Sequence, residues 1–253
     1  MKTPKPTRTA TPAQRYVVIG LGGVGGLVLR LLVQFLHSEG RRATVVAVDG
    51  DRFEERNRAR MLFGHAGPKA VVLAGEIAEL YGDRVTIVPV PRYVTPRNVG
   101  ALIDEGDVVF CQPDNHATRR VVEQRCMRLR SVTLFSGGND GVENGKTGTY
   151  GNVQVYRRKA GRNLSNPLSR FHPEIAHPAD RLPTAQGCLA ALASAPQLLF
   201  TNATVAAAML GAFYAWRAGR LDFEEVYFDI LTGRMVPARR AVVRSRRTAR
   251  RVA

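Results

Sequence analysis

Cysteine is scarce in this chain. Cys111, Cys126 and Cys188 are the only three among 253 residues, and no Cys-x-x-Cys pair occurs. Three thiols cannot build a disulfide framework, and unpaired cysteines exclude a zinc knuckle. The five histidines, His37, His65, His116, His172 and His177, show no metal spacing. His172 and His177 each precede a proline in a Pro-rich stretch and are expected to be solvated. No apolar run reaches the roughly 18 to 20 residues that a membrane span needs. The basic start is not followed directly by an apolar stretch, which disfavours a signal peptide. A soluble protein of the reducing cytoplasm, with no membrane partner, is the expectation. With 45% hydrophobic and 23% charged residues, the chain can bury a core and is not disordered.

Acidic residues are also few, 21 against 37 Lys and Arg, giving a net charge of +16. Most of the excess sits at the two ends. Residues 1–15 carry Lys2, Lys5, Arg8 and Arg15 without an acid, and 236–253 carries seven arginines without one. The body between is only mildly basic. The reading is a basic disordered leader over 1–14, a folded domain over 15–236 and an Arg-rich tail over 237–253. Such a tail can bind nucleic acid by counterion release, but a solvated tail is the favoured reading.

The folded part begins with Tyr16-Val17-Val18-Ile19, an apolar run suited to a buried parallel strand. Glycines follow from Gly20 to Gly26, then apolar residues at helical spacing to Leu36, then a second β-branched run from Ala43 to Val48. Strand, glycine turn, helix and strand in this order make a βαβ unit. The alternation continues with a helix over 69–81, a strand over 84–90, a short helix over 98–103, a strand over 107–111, a helix over 116–130 and a strand over 132–136. This predicts an α/β fold, a Rossmann-like, mostly parallel sheet with helices on both faces. Residues 137–187 read as an irregular crossing segment with one strand over 152–156. A C-terminal helix over 190–217 and an antiparallel hairpin from 225 close the domain.

Gly20, Gly22 and Gly25 fit G-x-G-x-x-G between strand and helix, with Gly23 beside them. Glycine permits the tight turn and lets the backbone approach a phosphate. The helix N-terminus then offers free N–H groups to that phosphate. Asp49 ends the second strand, where an acid can bind ribose hydroxyls. The motif alone does not separate NAD from ATP. The charged residues further along the chain do separate them. Asp49-Gly50-Asp51, Asn57 and Arg60 stand in a charged loop, Lys69 comes next, and Asp114-Asn115-His116-Ala117-Thr118-Arg119 comes after the fourth strand.

In these residues the chain resembles the ThiF/MoeB family, the adenylating domain of ubiquitin-activating enzymes. The resemblance implies ATP and Mg²⁺ as cofactors. It places Asp49 and Asp51 at the nucleotide, Asn57, Arg60 and Lys69 at the phosphates, Asp114 at the metal and Asn115 beside it. Arg60, Lys69 and a metal would offset charge building on the phosphoryl oxygens as a carboxylate attacks. Departures are Met61 where the family has Gln, Arg56 where it has Ser, Cys111 where an Asp ends the fourth strand, and no four-cysteine zinc site. Cys188, before Pro196 and an Ala-rich helix, matches a family cysteine that takes the activated acyl group; a thiolate at a helix start is activated by the dipole. Cys111 and Cys126 read as core.

The implied function is adenylation of the C-terminal carboxylate of a ubiquitin-like or sulfur-carrier protein, with a thioester on Cys188 as a further step. A homodimer and a conjugating enzyme are implied partners, with a slight lean to a bacterial conjugation pathway in antiviral defence. The alternatives are a degenerate nucleotide-fold module whose Arg tail binds nucleic acid, and an NAD(P)-dependent oxidoreductase, which leaves Arg60, Lys69 and Asp114 without a joint role.

Overall fold

The computed structural model describes residues 14–58, 61–142, 145–185 and 197–242. The elements run β1 (Gln14–Ile19), α1 (Gly23–Ser38), β2 (Ala43–Val48), β3 (Arg52–Phe53), β4 (Gly67–Pro68), α2 (Lys69–Tyr81), β5 (Val85–Val90), α3 (Val99–Leu102), β6 (Val108–Cys111) and α4 (His116–Arg128). They continue with β7 (Val132–Asn139), β8 (Tyr150–Lys159), β9 (Arg162–Asn163), α5 (Pro173–Ala176), α6 (Leu199–Arg217), β10 (Glu225–Asp229) and β11 (Arg234–Ala238). Among the described residues one large sheet forms in the order β11-β10-β8-β7-β6-β1-β2-β5, with β9 on β8. The five strands β5, β2, β1, β6 and β7 pair in parallel; β8, β10 and β11 add antiparallel.

The period of two along each strand sorts its side chains between two cores. Tyr16 and Val18, Val45 and Ala47, Val108 and Phe110, and Phe135 face α1, α2 and α6. Val17 and Ile19, Val46 and Val48, Val109 and Cys111, and Leu134 face α3, α4 and α5. Continuous apolar runs are thus required by burial on both sides. Cys111 and Cys126 are free, buried thiols of the second core, as expected.

Three readings are corrected. The crossing segment 137–187 is more regular than its sequence suggests: β7 runs on to Asn139, and β8 is ten residues long. The polar side chains that disguise β8 are paired inside the sheet, with the Asn152 amide donating to Glu225 at 2.9 Å and Arg158 Nε to the Leu129 carbonyl at 2.7 Å. The boundary at 236/237 cuts through β11, and Arg239 and Arg240 are anchored beyond it, Arg239 on Asp222 at 2.7 Å. The other five tail arginines lie outside the described residues. His172 is not solvated: its ring lies 2.9 Å from Glu174 and 2.8 Å from Glu225. The C-terminal helix begins at Leu199, and the part expected over 190–196 lies outside the described residues.

By length and composition α6 could cross a membrane. Here it lies on the sheet, with Val205, Met209, Ala212 and Phe213 buried, and Phe213 set edge-on to Tyr16 and Phe135.

Glu225, 1% exposed, joins the antiparallel flank to the C-terminal segment. It accepts from the Tyr227 hydroxyl at 2.6 Å and from Arg240 at 2.7 Å, while Arg240 stacks over Phe171 at 4.1 Å. Burial disfavours its charge, but His172, Tyr227 and Arg240 outweigh this and hold its carboxyl down to about 2. Burial likewise opposes the charge on His172, and Glu225 and Glu174 overcome it and raise the ring above its usual 6.5. The Glu225 contribution is therefore present above the ordinary 4.5 and lost as pH falls toward about 2. That of His172 is present below 6.5 and lost as pH rises through its raised folded value. Glu225→Gln should cost about 3 kcal/mol near neutral pH, because it strands two part-buried cations, His172 and Arg240, at a buried site. Denaturant melts from pH 3 to pH 9 check this, and His172→Gln should flatten the alkaline limb.

Candidate active site

The strand order reverses between β1 and β6, with β2 on one side and β7 on the other. Crevices of open α/β sheets lie beyond the carboxyl ends of the strands at such a reversal. Three loops converge there: Gly20–Gly22 after β1, Asp49–Asp51 after β2, and Gln112–Asp114 after β6. Gly20 has φ +85°, and a Cβ on it would lie 2.8 Å from Pro113 N. A Cβ on Gly25 would lie 1.7 Å from the Gly20 carbonyl oxygen. Only glycine allows α1 to start this close to β1.

Gly22 caps α1 without a side-chain hydrogen bond, and the first turn holds no acid. The leading N–H groups are left for an anion, with the dipole in its favour. Helix α4 is the opposite case. Asn115 Oδ1 accepts the Thr118 N–H at 2.8 Å, and the Asp180 carboxylate accepts those of His116 and Ala117 at 2.7 and 2.8 Å.

Asp49 is 8% exposed and ties the loops together. It accepts the Leu21 N–H at 2.6 Å and the Asp51 N–H at 2.7 Å. Burial pushes its carboxyl above the usual range, against the pull of Lys69. The buried Lys69 ammonium lies 3.0 Å from Asp51 Oδ2, and the Lys69 N–H donates to the Asp51 carbonyl at 2.9 Å. The Tyr93 hydroxyl donates to the other Asp51 oxygen. Burial opposes the Asp51 charge, but Lys69 and Tyr93 together hold its carboxyl below the usual range. Burial and this bond in turn lift the Tyr93 phenol well above its ordinary value.

Asn57 accepts the Glu54 N–H at 3.0 Å and so locks the turn after β3. Arg60 and Cys188 lie outside the described residues. Asp114 is exposed, and no hydrogen bond or ion pair engages its carboxylate among the described residues. Arg119 is buried and staples this loop to β7. Its guanidinium donates to the Pro113 carbonyl at 3.1 Å, Ser136 Oγ at 2.9 Å and the Gly137 carbonyl at 2.8 Å; burial lowers its pKa.

The ThiF family model matches residues 5–221. The chain belongs to the ThiF family. Protein HesA of Leptolyngbya boryana is 28% identical over 130 residues, covering 50% of this chain and 45% of that protein. The SAMP-activating enzyme E1 of Haloferax volcanii is 32% identical over 130 residues, covering 49% and 45%. The chain thus spans less than half the length of these curated relatives. Among solved structures, E. coli MccB with AMPCPP and MccA superposes with a TM-score of 0.65 at 12% identity, covering 92% of this chain and 65% of that one. PaaA gives 0.64 at 12% identity, covering 90% and 73%. At these identities the likeness is one of fold, and it agrees with the mostly parallel sheet flanked by helices.

The structure brings together Gly20, Gly22, Gly23, Gly25, Asp49, Asp51, Lys69, Asp114 and Asn115 at one end of the sheet. Asn57 caps a nearby turn. Sequence reasoning missed Tyr93, whose ring presses on Gly50, where a Cβ would lie 2.5 Å from it. It also missed Gln112, 8% exposed, whose amide nitrogen and oxygen have no partner among the described residues. No local pattern marks either residue, since both act through contacts across the sheet. Gly25→Ala should force the glycine turn apart and cost about 2 to 3 kcal/mol, seen as a lower denaturant midpoint with unchanged slope.

Proposed function

We propose that this chain binds ATP and adenylates the C-terminal carboxylate of a ubiquitin-like or sulfur-carrier protein. The observation that carries the reading is the uncapped start of α1, with buried Lys69 and Asp49 on one side and exposed Asp114 on the other. It is supported by ThiF family membership, by a relative named SAMP-activating enzyme E1, and by the fold shared with MccB structures holding ATP or AMPCPP.

In this reading the α1 N–H groups receive phosphate, and Asp49 keeps acceptor capacity for ribose hydroxyls beside its two backbone donors. Lys69 moves from Asp51 onto phosphate oxygen as the anion arrives, and Arg60 adds charge from the loop between. A magnesium ion would need only one or two carboxylates from the protein. Asp114 suits that requirement, and no group of three or more His, Cys, Asp or Glu suited to a metal occurs among the described residues. Asp114 would hold the ion, which supplies charge neutralisation at the phosphates. The carrier carboxylate oxygen bonds to the α-phosphorus, the bond to the bridging oxygen breaks, and pyrophosphate leaves. Positioning and electrostatics perform this step with no covalent work by the protein. We extend the reading to acyl transfer onto Cys188, to a homodimer and to a bacterial ubiquitin-like conjugation pathway.

Mg-ATP at about 100 times its Kd should stabilise the wild type by about 2.7 kcal/mol. Lys69→Ala should lose that shift, and Asp114→Ala should lose its Mg²⁺ dependence. Thermal midpoints with Mg-ATP, Mg-free ATP, NAD and NADP check both, and a shift with NAD alone would overturn the reading. Cys188→Ala should retain carrier-dependent ATP–pyrophosphate exchange while losing any thiol-sensitive adduct with the carrier. Loss of exchange in that variant would show the cysteine is not a later acceptor.

A further inference from the structure

Asp51 is held at four points, and its two carboxylate oxygens have different partners. Its N–H donates to Asp49 Oδ1 at 2.7 Å, and its carbonyl accepts the Lys69 N–H at 2.9 Å. The Lys69 ammonium lies 3.0 Å from Oδ2, while the Tyr93 hydroxyl donates to Oδ1. These two side-chain donors stand 18 and 42 residues further along the chain, at the start of α2 and in the loop after β5.

Tyr93 itself has little freedom. A Cβ on Gly50 would lie 2.5, 2.6 and 2.7 Å from three adjoining ring carbons, so the ring lies flat on that glycine. The Tyr93 carbonyl accepts from the Asn98 amide at 2.9 Å, and Asn98 Oδ1 accepts the Thr95 N–H at 2.8 Å. The closed turn and the ring contact together set the phenol oxygen over the loop after β2.

Lys69 is constrained differently. Its backbone stays on Asp51 through the N–H bond, so only the side chain can turn away. The Lys69 side chain is 9% exposed and that of Asp51 49%. An ammonium that turns to a phosphate exchanges one anion for another. Asp51 Oδ2 is then left without a donor among the described residues, and the neighbouring Asp49 charge opposes its own. Like charges that have lost a shared cation repel. A free Asp51 would swing after Lys69 and draw it back. The bond from Tyr93 to Oδ1 opposes that swing.

We propose that Tyr93 is a positioning residue for Lys69. Its hydroxyl keeps Asp51 in place while the ammonium turns to the nucleotide phosphates, and so lowers the cost of that exchange. This rests on the ATP-binding reading above and adds what releases the lysine.

Calorimetric titration with Mg-ATP tests this without the carrier protein. Tyr93→Phe keeps the ring on Gly50 and removes only the hydroxyl. Its Kd for Mg-ATP should rise about fivefold, the effect of one hydrogen bond to a half-exposed carboxylate. Tyr93→Leu should bind as weakly and, without the ring, should also have a lower ligand-free thermal midpoint. Tyr93→Phe should thus recover the midpoint and not the affinity; a role in packing alone would make affinity follow the ring. A double-mutant cycle checks the route through Asp51. In the Asp51→Ala background, or Asp51→Asn if the first does not fold, Tyr93→Phe should change the Kd by less than about twofold. No carboxylate then remains for the hydroxyl to hold. A full fivefold loss in that background would overturn the proposal. So would a Tyr93→Phe protein that binds Mg-ATP as tightly as the wild type, or more tightly. Both of those results leave the ATP reading standing, whereas a wild type that binds no Mg-ATP removes both.

Discussion

The arrangement depends on one buried carboxylate. Asp49 lies at the end of β2, yet its two oxygens are held by N–H groups of the loops after β1 and β2. Burial at that depth disfavours its charge, and the nearby Lys69 charge and the two backbone donors oppose this. In return it fixes the glycine turn relative to the neighbouring strand. The turn in turn allows no side chain at Gly25, so α1 starts in contact with β1 and its N–H groups open onto the crevice.

Around that point the helices that follow β1 and β6 begin differently. Helix α4 is capped by Asn115 and by Asp180 from a segment 64 residues away along the chain. Helix α1 receives no side chain. Lys69 waits on Asp51, itself fixed by Tyr93, so the cation is buried without being lost. Such a pair costs little to open when a better anion arrives, because one charged partner replaces another and the ammonium is never left bare. Arg119 has the contrary role: its guanidinium is engaged by the scaffold, and it holds the Asp114 loop to β7 rather than meeting a ligand.

The antiparallel flank supplies the other wall. Strand β8 carries polar residues that would be unfavourable in a dry sheet if Glu225 did not accept from them. The same carboxylate pins Arg240 and His172, so β10, the segment around residue 172 and the C-terminal stretch are joined at one buried charge. This makes the flank rigid beside α6, whose first turn faces the crevice.

The sequence alone determined the parallel half of the fold. Apolar β-branched runs, the glycine turn and helical periodicity are local signals, and the strands and helices they predict from 14 to 136 form within two or three residues of those positions; the short strands β3 and β4 had no such signal. It also named the loops that meet at the strand-order reversal, since G-x-G-x-x-G, Asp49, Lys69 and Asp114 are types whose chemistry is specific at that spacing. The tertiary structure decided the rest. The full length of β8, of which the sequence marked only 152–156, and the roles of His172 and Arg240 follow from polar pairs 15 to 73 residues apart in the chain, and no local pattern encodes such a pair. That Lys69 rests on Asp51 and that Arg119 is structural are likewise consequences of strand order and helix direction, because burial and pairing are properties of what surrounds a residue, not of the residue.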